Sequence, residues 1–320
     1  MTHAPRPTRA GRLVDYLGEM FPPLVQVPAA AVTFLAVYFC LQRLDGRSHL
    51  VIGWLGLGAA LTLLAFTLLL RTYDELKDVE TDLRLGRAGD PRYRDRAIVT
   101  GRVLPEDLVA LRWGTTIALF ALNVGLGWPW PGAAFVGVFA LTWLSFRWFF
   151  WPQMSRHLLI AFATHNPLSL ALGAYLLAVY AREFGHFPPP TAWLLLLGMW
   201  MPVAAWETAR KIRVPADETD YLTYSRVLGW RVAAALPLSF VAVSVASLVL
   251  FGARAGLGRW LVLALGAGAL PLVAGVVRLW VAPSSRAANL RPLAELYALA
   301  CGSCLLAAAV ASADSVSLSP

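Results

Sequence analysis

Residues 71–82 read RTYDELKDVETD and follow directly on a long apolar run, residues 50–70. At 100° per residue, Asp74, Asp78 and Asp82 drift by only about 40° per step and keep to one helical face. Arg71 and Glu75 fall inside the same arc, whereas Lys77 and Glu80 point away from it. Carboxylates stacked about 6 Å apart along a helix repel one another unless water solvates them or a cation sits between them. The run is therefore either the solvated end of a membrane helix or a site for a divalent metal. A face that continues into an apolar bundle favours the metal.

A second charged segment, residues 206–230, reads WETARKIRVPADETDYLTYSRVLGW. Helical spacing puts Glu207, Arg210 and Lys211 on one face at the end of an apolar span, and Pro215 is expected to end that helix. Asp217, Glu218 and Asp220 follow in the loop. A carboxylate as deep as Glu207 needs a partner. Arg210 and Lys211, three and four residues on, can serve, or the bases can snorkel to lipid headgroups. Between the two segments, residues 84–108 carry Arg84, Arg87, Arg92, Arg94, Arg96 and Arg102. Arginine forks match phosphate oxygens, and a divalent cation bridges phosphate to carboxylate, so this stretch suits an anionic, metal-bound ligand. Binding to anionic lipid headgroups is the other reading, and both can hold.

These residues are set among apolar spans. The chain has 320 residues, is 58% hydrophobic and only 14% charged, and has a mean hydropathy of +0.61. Soluble domains carry about 25% charged residues, so an all-α, polytopic membrane protein is expected, with the lipid bilayer as its solvent. Spans of bilayer length fall near 24–43, 50–72, 107–127, 132–151, 158–181, 191–211, 229–251, 258–281 and 293–312. Trp-Pro and Pro-Pro stretches at 128–132 and 186–190 punctuate them, and Trp128, Trp130 and Trp151 suit the membrane interface. The net charge of +8 sits in short clusters between spans, a pattern of topology rather than of nucleic-acid binding. Cys301 and Cys304 form a C-x-x-C inside an apolar run without acidic or His neighbours; with Cys40 they read as packing residues. The first 23 residues have no short apolar core with a cleavage site, so no secretory signal is expected.

With the N-terminus inside, 22 of the 27 bases fall on the cytoplasmic side, a strong positive-inside bias. The expected organisation is one integral-membrane domain over 1–320, with a cytoplasmic segment at 1–22. Its two charged cytoplasmic loops, 73–106 and 207–228, would form the active site, and the C-terminus would lie outside. Two long charged loops on one face of an otherwise economical chain mark that face as the site.

The pattern resembles the UbiA superfamily of intramembrane prenyltransferases, in a bacterial branch with a variant second motif. The family's first motif, N/D-x-x-x-D-x-x-x-D, is matched by Asp74, Asp78 and Asp82. Its R-P-x-x-x-G stretch is similar to residues 96–101, with Ala97 in place of the proline. The second motif, D-x-x-x-D, is replaced by Glu207 and Lys211, followed by Thr223-Tyr224-Ser225. The resemblance spans nearly the whole chain. It implies a bundle of about nine transmembrane helices, a location in the bacterial inner membrane, and Mg²⁺-dependent transfer of an isoprenyl group. The donor would be an isoprenyl diphosphate and the acceptor lipophilic, in some relatives aromatic.

By that resemblance Asp74, Asp78 and Asp82 hold the metal and act in catalysis with Glu207 and Lys211. Arg71, Arg96, Arg147, Arg210 and Lys211 are candidates for the diphosphate. His165, Asn166, Tyr73 and Tyr224 are candidates for the acceptor pocket. His165 and Asn166 sit inside a span before Pro167, where they either line that pocket or satisfy backbone loosened by the proline. The missing second acid leaves two possibilities: Lys211 contacts diphosphate directly, or Asp217 and Asp220 supply the carboxylates. A terpene cyclase, transfer of a phosphorylated sugar to a polyprenyl phosphate, and a membrane transporter are the rival functions. Clustering of the acids at one membrane face, rather than at midplane, speaks against the transporter.

Overall fold

A computed structural model of the chain describes residues 8–90, 93–127, 129–219 and 221–318. Trp128 and Arg92, named above, lie outside the described residues, as does Asp220. An amphipathic helix α1 (Arg9–Met20) leads into α2 (Pro23–Leu44), a short strand β1 (His49–Ile52) and the 34-residue α3 (Trp54–Arg87). Then come α4 (Pro105–Leu126), α5 (Trp130–Phe146), α6 (Leu158–His165), α7 (Leu168–Phe184) and α8 (Ala192–Ala209). The chain continues through a short α9 (Tyr224–Leu228), α10 (Trp230–Ala255), α11 (Trp260–Val281), a short α12 (Ser285–Ala288), α13 (Arg291–Ala311) and strand β2 (Ser315–Leu318).

Each apolar segment expected from the sequence is a helix. Seven helical stretches among the described residues are long and apolar enough to cross a membrane, with Leu158–Phe184 and Ser285–Ala311 each counted as one. The other two expected spans are shorter or more polar: α5 has 17 residues, and α8 has 18 with Glu207 near its end. Large apolar side chains project outward along these helices, among them Trp113, Ile117 and Val124 on α4 and Leu263 and Leu270 on α11, all more than half exposed. In water such surface would associate; against lipid it is the expected face of an integral membrane protein. Trp130 and Trp151 are also exposed, as interfacial residues should be.

The chain divides into two compact units, one of residues 1–31 and 58–128, the other of 32–57 and 129–320. In the first unit, Asn123 on α4 is buried and donates to Thr62 Oγ1 on α3 at 3.1 Å and to the Leu119 carbonyl at 2.9 Å. Polar links of this kind fasten helices together where apolar contact alone gives lipid no reason to leave.

In the second unit, α8 and α10 pack closely at Gly198, whose carbonyl accepts from the buried Ser244 hydroxyl at 2.7 Å. A Cβ at Gly198 would lie 2.5 Å from the Leu248 side chain. Gly198→Val is therefore expected to cost about 1–3 kcal/mol through overpacking, read as a lower thermal unfolding midpoint in detergent, and Leu248→Ala should relieve it. The cysteines pack as expected: Cys40 and Cys301 are buried, and Cys40 Sγ lies 3.8 Å from the Leu305 carbonyl.

One end of this second unit gathers the C-terminal ends of α2, α7 and α13. Strand β1, just after α2, pairs in parallel with β2, just after α13, with His49 opposite Ser315. Glu183 near the end of α7 accepts from the Tyr38 hydroxyl on α2 and from the Gly53 N–H at 2.9 Å. Asp45 accepts from Tyr180 and faces His186 Nε2 at 3.4 Å. The loops after the first, fifth and ninth expected spans thus share one face, as odd-numbered crossings require.

Candidate active site

Helix α3 does not stop at the membrane-length run. It continues through all of the acidic stretch to Arg87, so the first part of the expected loop 73–106 is helical. That extension sets the three aspartates on successive turns, but not in equivalent surroundings. Asp74 and Asp78 are exposed, and the Asp74 side chain, 63% exposed, lies 3.7 Å from Lys77 Nζ. Asp82 is buried and ion-paired with Arg96. The three follow one another along one side of α3, as the spacing predicts, but their burial differs. The drift of about 40° per step carries the ladder round the helix, from the exposed side at Asp74 to the packed side at Asp82. Glu75, also buried, is paired with Arg71.

Among the described residues, no three His, Cys, Asp or Glu side chains are gathered into a metal cage. The donors nevertheless fit Mg²⁺. That ion takes one or two carboxylates and completes its octahedron with water and substrate phosphate rather than with an all-protein cage. Two exposed carboxylates one turn apart, Asp74 and Asp78, supply such a set.

Arg96 arrives from the polar stretch that follows α3. A series of tight turns links residues 93–103, with Arg96 N–H donating to Tyr93 O at 3.0 Å and Val103 N–H to Ala97 O at 3.1 Å. Ala97, Ile98 and Val103 are buried with Tyr16 of α1 and Leu108 of α4 in a small apolar core. The R-x-x-x-x-G stretch is thus pinned by its apolar residues, which leaves Arg96 directed at Asp82 with its guanidinium 4.7 Å from the Tyr93 ring. Of the other bases in this stretch, Arg84 and Arg87 are exposed, Arg94 pairs with Asp95 at 3.3 Å, and Arg102 pairs with Glu19 at 2.7 Å. Tyr73, one residue before the first aspartate, is buried in the first unit. Replacing Arg96 with Gln strands the buried Asp82 carboxylate. About 3–5 kcal/mol of stability should be lost, measured by urea unfolding of the detergent-solubilised protein, and Arg96→Gln/Asp82→Asn should recover most of it.

The second charged segment lies wholly in the second unit. Helix α8 ends at Ala209, capped by Arg210, six residues before Pro215, which opens only a single 3₁₀ turn (Pro215–Asp217). The helix stops early because residues 211–226 are laced back on themselves. Tyr224 N–H donates to the Lys211 carbonyl at 3.1 Å, Arg213 N–H to Ser225 Oγ at 2.7 Å, and the Arg226 guanidinium to the Thr219 carbonyl at 2.7 Å. Thr223 caps α9 and donates to Glu218. The Thr-Tyr-Ser run therefore shapes this loop.

Glu207 is paired with both of its expected bases, Arg210 at 2.5 Å and Lys211 at 2.9 Å. Tyr224 is buried against Phe162, and its hydroxyl has no hydrogen-bond partner in the structure. Burial, and after it the nearby Glu207 carboxylate, push the phenol up, so Tyr224 remains a neutral donor at physiological pH. An orphan hydroxyl at the edge of a charged cluster is a group suited to a polar ligand atom.

The remaining candidates are also in the second unit. Arg147 is exposed and ends α5. Trp148, Phe149 and Phe150 follow it in the left-handed region, at φ 50°, 51° and 57°, a conformation that costs about 1–2 kcal/mol per non-glycine residue. The turn is held by packing: the Trp148 and Phe149 rings lie 5.0 and 5.6 Å from the His165 ring. His165 itself ends α6, with Nε2 3.2 Å from the Ser145 carbonyl and Nδ1 3.0 Å from that of Ala161. Asn166 Oδ1 accepts from the Trp200 indole at 2.6 Å. Both residues thus serve the break between α6 and α7.

The sequence reading missed one buried acid. Asp107, fully buried at the start of α4, accepts two hydrogen bonds from Arg12 on α1, at 2.6 and 2.7 Å, and one from the Leu104 N–H at 3.0 Å. Its partner is distant in sequence, so only the helical spacing of Leu13, Tyr16, Leu17 and Met20 could have marked α1 as a packed element.

No protein-family model and no curated protein matches the sequence. Two solved structures match the fold. One is the apo structure of a UbiA homolog from Aeropyrum pernix K1, 19% identical, with a TM-score of 0.59 over 84% of this chain and 96% of that one. The other is a digeranylgeranylglyceryl phosphate synthase, 12% identical, with a TM-score of 0.63 over 94% of this chain and 99% of that one. From α-helical span to α-helical span, the chain has the fold shared by that UbiA homolog and that synthase.

Proposed function

We propose that the chain is a UbiA-superfamily transferase that moves an isoprenyl group from an isoprenyl diphosphate to a lipophilic acceptor. One observation carries this reading: within a UbiA-type fold, α3 runs past its apolar length to present Asp74 and Asp78 on consecutive turns with Arg96 beside Asp82. The solved neighbour named for making digeranylgeranylglyceryl phosphate agrees with an isoprenoid lipid as product.

In this proposal Asp74 and Asp78 hold the Mg²⁺–diphosphate headgroup by their exposed carboxylates. Bound there, Mg²⁺ supplies neutralisation of the charge that builds on the departing diphosphate. Arg96, held at Asp82 through one nitrogen, would reach the diphosphate oxygens with its remaining N–H donors. The bond between the allylic carbon and the diphosphate oxygen breaks with its electron pair on the diphosphate. The acceptor nucleophile then bonds to that carbon and loses its proton. Arg210 and Lys211, which together with Glu207 carry one net positive charge, and Tyr224 with its unpaired hydroxyl are proposed as polar contacts for the diphosphate. Arg71 and Arg147 are secondary candidates for the diphosphate, the former already engaged by Glu75. Tyr73, His165 and Asn166 are proposed to support the acceptor region by packing.

The test is incubation of protein in bilayer nanodiscs with geranyl-, farnesyl- and geranylgeranyl diphosphate, with and without phenolic and glycerol-lipid acceptors. Acceptor-dependent diphosphate release supports the transferase. Acceptor-independent hydrocarbon release would instead show a cyclase, and no release with any donor would overturn the proposal.

A further inference from the structure

The Arg96 that faces the acidic motif is held from the other side by the amphipathic helix α1. Tyr16 of α1 is buried in the apolar core formed by Ala97, Ile98, Val103 and Leu108. Four polar contacts surround that core. Arg12 grips the buried Asp107 with two hydrogen bonds, and Arg9 reaches the same carboxylate at 3.4 Å. Arg102 pairs with Glu19 at 2.7 Å, and Arg71 meets Met20 Sδ at 3.9 Å. Every one of these α1 contacts goes to the stretch that carries Arg96, to the start of α4 or to α3 just before the aspartates. The helix therefore lies as a strap over residues 96–108. Its principal fastening is a two-point guanidinium–carboxylate fork between residues 95 apart, the geometry that fixes direction as well as distance.

We propose that Asp107 is a positioning residue for the diphosphate site: by holding Arg12 it fastens α1 across residues 96–103 and so keeps Arg96 aimed at Asp82 and at the incoming diphosphate. Asp107 touches neither substrate nor metal in this role. The inference rests on the functional reading above and adds a group that the acidic motif alone does not contain. Loosening the strap frees Arg96 from its fixed direction. The affinity for diphosphate should fall, and Asp82, no longer neutralised by a held arginine, should accept a divalent cation more readily. Simple loss of structure would weaken both.

The experiment compares full-length wild type, Asp107→Asn, the milder Arg12→Lys and the charge-swapped Arg12→Asp/Asp107→Arg in nanodiscs. Three quantities are read: KM and kcat for an isoprenyl diphosphate, Mn²⁺ affinity by electron paramagnetic resonance, and amide exchange of residues 93–103. Asp107→Asn should raise KM about tenfold or more with kcat within about twofold, tighten Mn²⁺ binding, and lose protection over 93–103. Arg12→Lys, which keeps the charge and loses the fork, should fall between, and the swap should restore KM. Unchanged KM in Asp107→Asn and Arg12→Lys, or weakening of metal and diphosphate together, would overturn the positioning role. Wild-type protein that neither binds nor turns over any isoprenyl diphosphate would overturn the functional reading instead, and the positioning role would fall with it.

Discussion

Alanine at Asp74 or Asp78 is expected to cut Mg²⁺-dependent diphosphate release by at least about 100-fold, since even outer-shell partners of a metal cost 10–100-fold. These are the two exposed carboxylates of the ladder, one turn apart, and neither is buried in an ion pair as Asp82 is. In the proposed site, removing either would leave the cation a single protein carboxylate, and the charge on the departing diphosphate would be poorly neutralised. Stability should change little, because exposed side chains away from caps and cores contribute within about 0.5 kcal/mol. Asp82→Ala should behave differently. It strands Arg96, lowers the unfolding midpoint, and reduces activity less than the exposed pair does. Initial rates and urea unfolding on the same preparations separate the two classes.

Lys211→Asp is expected to have the second-largest effect. Lys211 Nζ lies 2.9 Å from Glu207 and Arg210 lies 2.5 Å from it, so the cluster carries one net positive charge. The substitution makes that charge negative and sets a second carboxylate close to Glu207 at the end of α8, where like charges repel. Affinity for the diphosphate should fall by about tenfold or more, roughly 1.4 kcal/mol per factor of ten, and the rate should depend more steeply on Mg²⁺. Lys211→Arg, which keeps the charge, should retain most of the activity. Survival of activity in Lys211→Asp with unchanged Mg²⁺ dependence would remove Lys211 from the diphosphate site. Arg213→Ala, at a base that donates to Thr219 Oγ1 and the Asp217 carbonyl inside the loop, is the control for a purely structural effect.

Periodicity carried most of what was legible. Bilayer-length apolar runs produced helices in the expected places, and a spacing of four put Asp74, Asp78 and Asp82 on successive turns of α3. The same arithmetic implies the drift that buries Asp82, but the direction of the packed face is set by α1 and the 96–103 turns, which no local pattern announces. The Glu207–Arg210–Lys211 cluster was legible because all its members lie within five residues. The fork between Arg12 and Asp107 was not, because its partners meet only through tertiary packing. Pro215 is a poor guide to the end of α8, since the Tyr224 N–H donating to the Lys211 carbonyl and the Arg213 N–H donating to Ser225 Oγ turn the chain first. The left-handed Trp148–Phe150 turn runs against the intrinsic preference of bulky residues, and only its packing on His165 accounts for it.

The most direct test of the acidic site is Mn²⁺ binding, read by electron paramagnetic resonance on nanodisc-embedded protein with and without a non-hydrolysable farnesyl thiodiphosphate. The wild-type chain should bind Mn²⁺ weakly alone and at least about tenfold more tightly with the diphosphate analogue, because substrate oxygens complete the shell that Asp74 and Asp78 begin. Asp74→Asn/Asp78→Asn should abolish that enhancement. Equal Mn²⁺ affinity in the wild type and the double variant, with the analogue present, would contradict the assignment of the α3 carboxylates to a metal–diphosphate site.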